Sequence, residues 1–156
     1  MKRWDERGLE GMPLKLLIMS LLISLTVPVV VGSVEGFERT TTRAVLAAEA
    51  HRLAETVEDV MSSGEGNRRI VSISLPGNAD RFHLRLEAGG PLGTTASMTI
   101  RCVSGTVPFA TLAPENPPAK MTAGGQALVL GGGEYTIAVE CVRFEGRAIA
   151  SMEPIG

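Results

Sequence analysis

Residues Leu16 to Gly32 read LLIMSLLISLTVPVVVG, about 17 positions without a charged side chain. No other feature restricts the chain as much. A helix satisfies its backbone hydrogen bonds internally, so an apolar helix is stable in hydrocarbon, and this run sits at the short end of a bilayer span. Lys15 stands directly before it, and its flexible stem lets the ammonium reach the interface and lengthens the usable span. Lys2, Arg3, Arg7 and Lys15 precede the run; Glu35, Glu38 and Arg39 follow it, with Arg43 further on. Positive residues favour the cytoplasmic side. The pattern predicts a single-pass membrane protein with a cytoplasmic N-terminus and an extracytoplasmic remainder. Pro13 suits the first turn of a helix, where its missing N–H is not needed. Pro28 lies inside the span, removes one helical hydrogen bond and predicts a kink.

Beyond the run the sequence changes character but keeps a helical period. In the segment from Thr40 to Ser63, Leu46, Ala50, Leu53, Val57 and Val60 recur at three- and four-residue spacing. Arg43, Glu49, Arg52, Glu55, Glu58 and Asp59 fall largely off that stripe. Ser62-Ser63-Gly64-Glu65-Gly66-Asn67 ends the pattern. One nearly continuous helix is expected from Pro13 to about Ser63, apolar all round in its first half and amphipathic in its second. The stripe reads as the surface that docks under the rest of the chain, with a partner-helix seam as the alternative.

After Asn67 the period becomes two. Val71, Ile73 and Leu75 share one face, as do Phe82, Leu84 and Leu86, and the two segments around the turn Pro76–Asp80 read as an antiparallel hairpin. Met98, Ile100 and Cys102 share a face of Ser97–Val103. Pro108 marks Thr106–Leu112 as an edge strand. Ala113–Ala119 reads as a loop and Ala127–Leu130 as a short apolar strand. Glu134–Phe144 is the longest strand, with Tyr135, Ile137, Val139 and Cys141 on one face, and Arg147–Met152 is the last. The fold class predicted is α+β: a long N-terminal helix, then a small antiparallel β-sandwich-like head of six or seven strands. The two cysteines, Cys102 and Cys141, both fall on inward faces. They form a possible disulfide if their strands are neighbours and the compartment is oxidising; otherwise they are two small buried hydrophobes.

A net charge of −2 offers no basic field for nucleic acid, and nucleic-acid binding is set aside. His51 and His83 have no Cys or Asp cluster at ligand spacing, so no metal site is expected. Glu55, Glu58 and Asp59 read as a wet helix face rather than a carboxylate pair. Gly89-Gly90-Pro91-Leu92-Gly93 and Gly131-Gly132-Gly133 lack the Gly-Lys-Ser/Thr of a phosphate loop and read as turns. No Gly-x-Ser-x-Gly elbow and no Asn-x-Ser/Thr sequon is present. Catalytic residues and cofactors are therefore not expected, and the chain reads as a non-enzyme.

The residues Arg7-Gly8-Leu9-Glu10-Gly11, set directly before the apolar run, resemble the class III signal peptide of archaeal type IV pilin-like proteins, the group that includes archaellins. The resemblance covers Met1 to about Ser63. It implies cleavage between Gly8 and Leu9 by a leader peptidase, with the apolar segment retained as membrane anchor and later as filament core. Residues 1–8 would then be leader, 9–63 the membrane and filament helix, and 64–156 the extracytoplasmic β-rich head. Pro28 resembles the proline kink of many pilin helices. Glu10, Pro13 and Lys15 depart from the family's usual pattern. The resemblance implies a pilin-like structural subunit or accessory component of an archaeal surface filament, with membrane lipid, other pilin-like subunits and the leader peptidase as partners. Ser20 and Ser24, four apart, form a small-xxx-small pair that permits close helix approach, or simply bond back to their own helix. The alternative is a secreted or membrane-anchored β-sandwich binding module with an ordinary signal peptide, since Val31-Gly32-Ser33 weakly resembles a small-residue cleavage site.

Overall fold

The computed structural model describes residues 6–115 and 117–155, with side chains from Pro13 onward. One helix, α1 (Glu6–Ser63), precedes eight strands: β1 (Arg68–Leu75), β2 (Leu84–Ala88), β3 (Ile100–Ser104), β4 (Val107–Leu112), β5 (Met121–Thr122), β6 (Leu128–Leu130), β7 (Gly133–Phe144) and β8 (Arg147–Pro154). This is the α+β arrangement the sequence predicts. The chain divides into two compact units, Met1–Thr40 and Thr41–Gly156. The division falls inside α1, so the amphipathic half of the helix belongs with the strands.

In the second unit the strands form two four-stranded sheets, ordered β1-β7-β8-β5 and β4-β3-β2-β6. Every pairing is antiparallel except the two-residue match of β5 with β8. The alternation read from the sequence holds in β1, where Val71, Ile73 and Leu75 are buried; in β7 Ile137, Val139 and Cys141 are buried as expected, but so is Ala138 between them. β4 is an edge strand, as Pro108 requires, because a residue without an N–H cannot serve two neighbours.

The helix stripe completes the core. Leu46, Ala50, Leu53, Val57 and Val60 are each 0% exposed and join residues of both sheets in one hydrophobic cluster. The stripe docks on the strands rather than forming a helix seam. Polar contacts fix its register along the head. The Thr42 hydroxyl lies 3.1 Å from the Asn78 side-chain carbonyl, and the Arg43 guanidinium stacks 5.1 Å over the Phe109 ring. Glu58 accepts the Glu115 backbone N–H at 3.0 Å, and Asp59 pairs with Arg69 at 2.8 Å. The face expected to be merely wet thus supplies two struts, each worth little alone beside the buried stripe.

The expected hairpin of β1 with the next segment does not form. β1 pairs with β7 along all eight residues, and β2 lies in the other sheet between β3 and β6. The reason lies in the connection. Gly77–Phe82 coils into a 3-10 turn that buries Ala79, and His83 adopts φ 52°, so strand conformation begins only at Leu84 and the chain crosses between sheets, although Phe82 still packs against the core and His83 is exposed as expected. The return crossing, Gly131-Gly132-Gly133, lies against this turn. Gly132 N–H donates to Asp80 at 2.9 Å, and a Cβ on Gly131 would stand 2.7 Å from the same carboxylate oxygen. Met98, expected inward, lies in a second 3-10 turn, Thr95–Met98, and is exposed. Gly89 has φ +67° and a Cβ there would meet the Met121 carbonyl oxygen at 2.4 Å, so the residue is fixed by both conformation and space.

Leu53→Ala should lower the stability of the full chain in detergent by about 2–5 kcal/mol, because it opens a cavity between helix and sheets. Gly89→Ala should cost about 1–3 kcal/mol through backbone strain. Denaturant unfolding checks both, with exposed His51→Ala as a control expected within about 0.5 kcal/mol of the parent.

Candidate functional site: the exposed apolar helix

The first unit is the N-terminal stretch of α1. From Leu14 to Val34, and again at Phe37, every large apolar side chain is between 47% and 73% exposed. These residues occupy the whole circumference of the helix, not one stripe. Pro13–Ser63 is accordingly the one helix among the described residues long and apolar enough to cross a membrane. Water rejects such a surface. Each exposed large side chain would gain on the order of 1.5–3 kcal/mol on full burial, so covering this segment with apolar surroundings is strongly favourable.

Its polar groups are arranged for that setting. The hydroxyl of Ser20 donates to the Leu17 carbonyl at 2.9 Å, Thr26 to Leu22 at 2.8 Å, Ser33 to Val29 at 2.8 Å and Thr40 to Gly36 at 2.9 Å. Ser20 therefore bonds back to its own helix. A hydroxyl satisfied in this way adds no unpaired polar group to an apolar surface. Pro28 sits inside the unbroken helix and lacks the N–H that would reach the Ser24 carbonyl.

Gly32 and Gly36 were not singled out by the sequence reading. They lie four apart in the helix, and beyond the adjoining helical backbone a Cβ on either would meet no atom within 4 Å. Glycine inside a helix costs about 1 kcal/mol relative to alanine, yet packing within the chain demands it at neither position. The signal was legible: Ser20, Ser24, Pro28, Gly32, Gly36 and Thr40 recur every fourth residue, a wider version of the small-xxx-small spacing noted for the two serines.

Gly8 and Leu9 fall in the first turns of α1, and their side chains lie outside the described residues, as do residues 1–5 of the leader altogether. Cys102 and Cys141 are buried free thiols on strands of different sheets, β3 and β7. The neighbouring strands that a bridge was expected to use are therefore not the arrangement found. The Cys102 thiol donates to the Leu46 carbonyl at 3.6 Å, tying β3 to the helix stripe. Burial pushes its pKa up to about 11, and burial, with Glu65 second, also raises Cys141. Among the described residues no group of three or more His, Cys, Asp or Glu side chains converges on a point that would hold a metal. No protein-family model, no curated protein and no solved structure matches this chain.

Because the native state holds the Cys102 proton more tightly than the unfolded chain, that contribution to stability is complete below the ordinary thiol pKa of 9.0 and is lost as pH rises towards about 11. Unfolding followed at pH 7 to 11 should show this decline, and Cys102→Ala should make it shallower, leaving the share due to Cys141. Thiol labelling should be slow on the native protein, and after denaturation should count two thiols with or without reductant.

Proposed function

We propose that this chain is a pilin-like structural subunit or accessory component of an archaeal type IV pilus-like surface filament, held first in the membrane by the N-terminal half of α1. One observation carries the reading: a single unbroken helix is bare and apolar over its first half and packed into a β-rich head over its second. A simple anchor needs only the first of these properties. A filament subunit needs both, because the helix must move from lipid into a bundle of like helices while the head stays fixed to it. Lipid contacts are then replaced by side-chain packing, with the backbone bonds unchanged.

The details support that use. Gly32 and Gly36 leave the helix surface low, where the backbone of another helix approaches closely. Hydroxyls that bond back to the helix add no desolvation cost in either setting. Arg7-Gly8 before the apolar run provides the processing point. In this reading the N-terminus is cytoplasmic, the head extracytoplasmic, and the partners are lipid, a leader peptidase and other pilin-like subunits.

Mass spectrometry of the protein purified from membranes or filaments should find Leu9 at the N-terminus; a start at Met1 or near Val34 contradicts the proposal. Gly36→Leu should leave head unfolding and membrane association unchanged while lowering recovery in sheared surface filaments by about tenfold, the effect of losing roughly 1–2 kcal/mol of helix contact.

A further inference from the structure

A cleft of about 550 Å³ opens beside the β7–β8 turn, and the anchor reading does not use it. Its walls come from two backbone features. One is the tight β7–β8 turn, in which Phe144 pairs with Arg147 and Glu145 and Gly146 take φ 49° and 78°. The other is the Pro91–Thr94 loop, closed by the Thr94 N–H on the Pro91 carbonyl at 3.2 Å and held behind by Gly90 N–H on the Met121 carbonyl at 3.1 Å. The Arg143–Glu65 pair at 3.2 Å places the β-turn beside the segment that follows α1. Lys120 completes the lining, its position fixed by the bond from Ala150 N–H to its carbonyl at 2.7 Å.

The lining is chemically mixed in a specific way. Leu92, Phe144 and Ile149 give an apolar floor and an exposed aromatic face. Lys120 and Arg147 supply two positive charges and Glu145 one negative. Four other arginines of the head are matched to acids: Arg69 to Asp59, Arg85 and Arg101 to Glu87, and Arg143 to Glu65. Among the described residues, neither Lys120 nor Arg147 has an ion-pair partner, and neither is matched to Glu145 in the same cleft.

We propose that this cleft binds a carboxylated saccharide. The lining calls for three properties in one ligand. An excess of cations, one of them a planar guanidinium fork, calls for a carboxylate. A free carboxylate at Glu145 calls for hydroxyl donors. Phe144 and Ile149 call for an apolar face. A pyranose uronate presents all three, its C–H face lying on the phenyl ring, and the volume lies within the range of small-ligand sites. A bare inorganic anion leaves the aromatic and the acid unused; a neutral sugar leaves both cations unused.

Calorimetric titration of trigalacturonic acid into the full chain in detergent micelles tests the assignment. Binding is expected with a Kd of about 0.1–1 mM, as for a shallow solvent-open site. Arg147→Gln and Lys120→Gln should each weaken it about tenfold, and Phe144→Ala should weaken it as well. Arg85→Gln, on β2 in the other sheet, should leave it unchanged, and circular dichroism should show every variant folded. The proposal is overturned by absent binding, by equal binding of maltotriose or inorganic phosphate, by tighter binding of a Glu-rich peptide, or by indifference to Arg147→Gln in the folded protein.

Discussion

The burial of five residues on one face of α1 organises the rest of this molecule. Leu46, Ala50, Leu53, Val57 and Val60 are removed from water by residues from both sheets, and among the described residues no other α-helix is present to cover them. Sheets this short are poor folding units alone, since few-stranded elements need a packed face to be stable. The helix supplies that face. In return the head holds the second half of the helix, since most helical stability in a folded protein comes from packing of the amphipathic face rather than from propensity. Thr42, Arg43, Glu58 and Asp59 add register to this packing more than strength.

A consequence runs along the helix. α1 runs from Glu6 to Ser63, and the division between the two units falls within it, at Thr40 and Thr41. The exposed half is built for low-dielectric surroundings, with hydroxyls returned to their own carbonyls and glycines where no neighbour in the chain demands them. These features fit lipid, and they fit a bundle of similar helices equally well. A filament reading needs that double suitability.

Much of this was legible in the sequence, for physical reasons. The uncharged run and the stripe after it are long periodic signals, and long periodic signals survive tertiary context. β1 was legible because one face is buried and the other is not; β7 was legible from Ile137, Val139 and Cys141, although Ala138 on its opposite face is buried as well. The β1–β2 hairpin was misread because local proximity is only a default: a 3-10 turn with its own buried alanine carries the chain to the opposite sheet, and two short crossings close against each other at Asp80 and Gly131–Gly132. β5 was missed because two residues carry no period. The docking roles of Glu58 and Asp59 were hidden because a solvated acid and a strut-forming acid have the same spacing on a helix. The glycine pair was visible as composition and overlooked as pattern. The cleft beside Phe144 was not legible at all, since Leu92, Lys120 and Arg147 come together only through the tertiary fold.

The central claim is that the apolar half of α1 remains part of the working protein and is shielded there from water. Alkaline carbonate extraction of cells expressing the full chain, with peptide mapping of the recovered protein, tests it most directly. The account predicts protein that stays with the membrane or filament pellet and still contains Leu16 to Gly32. Protein released to the supernatant, with its first residue beyond Gly32, would contradict it.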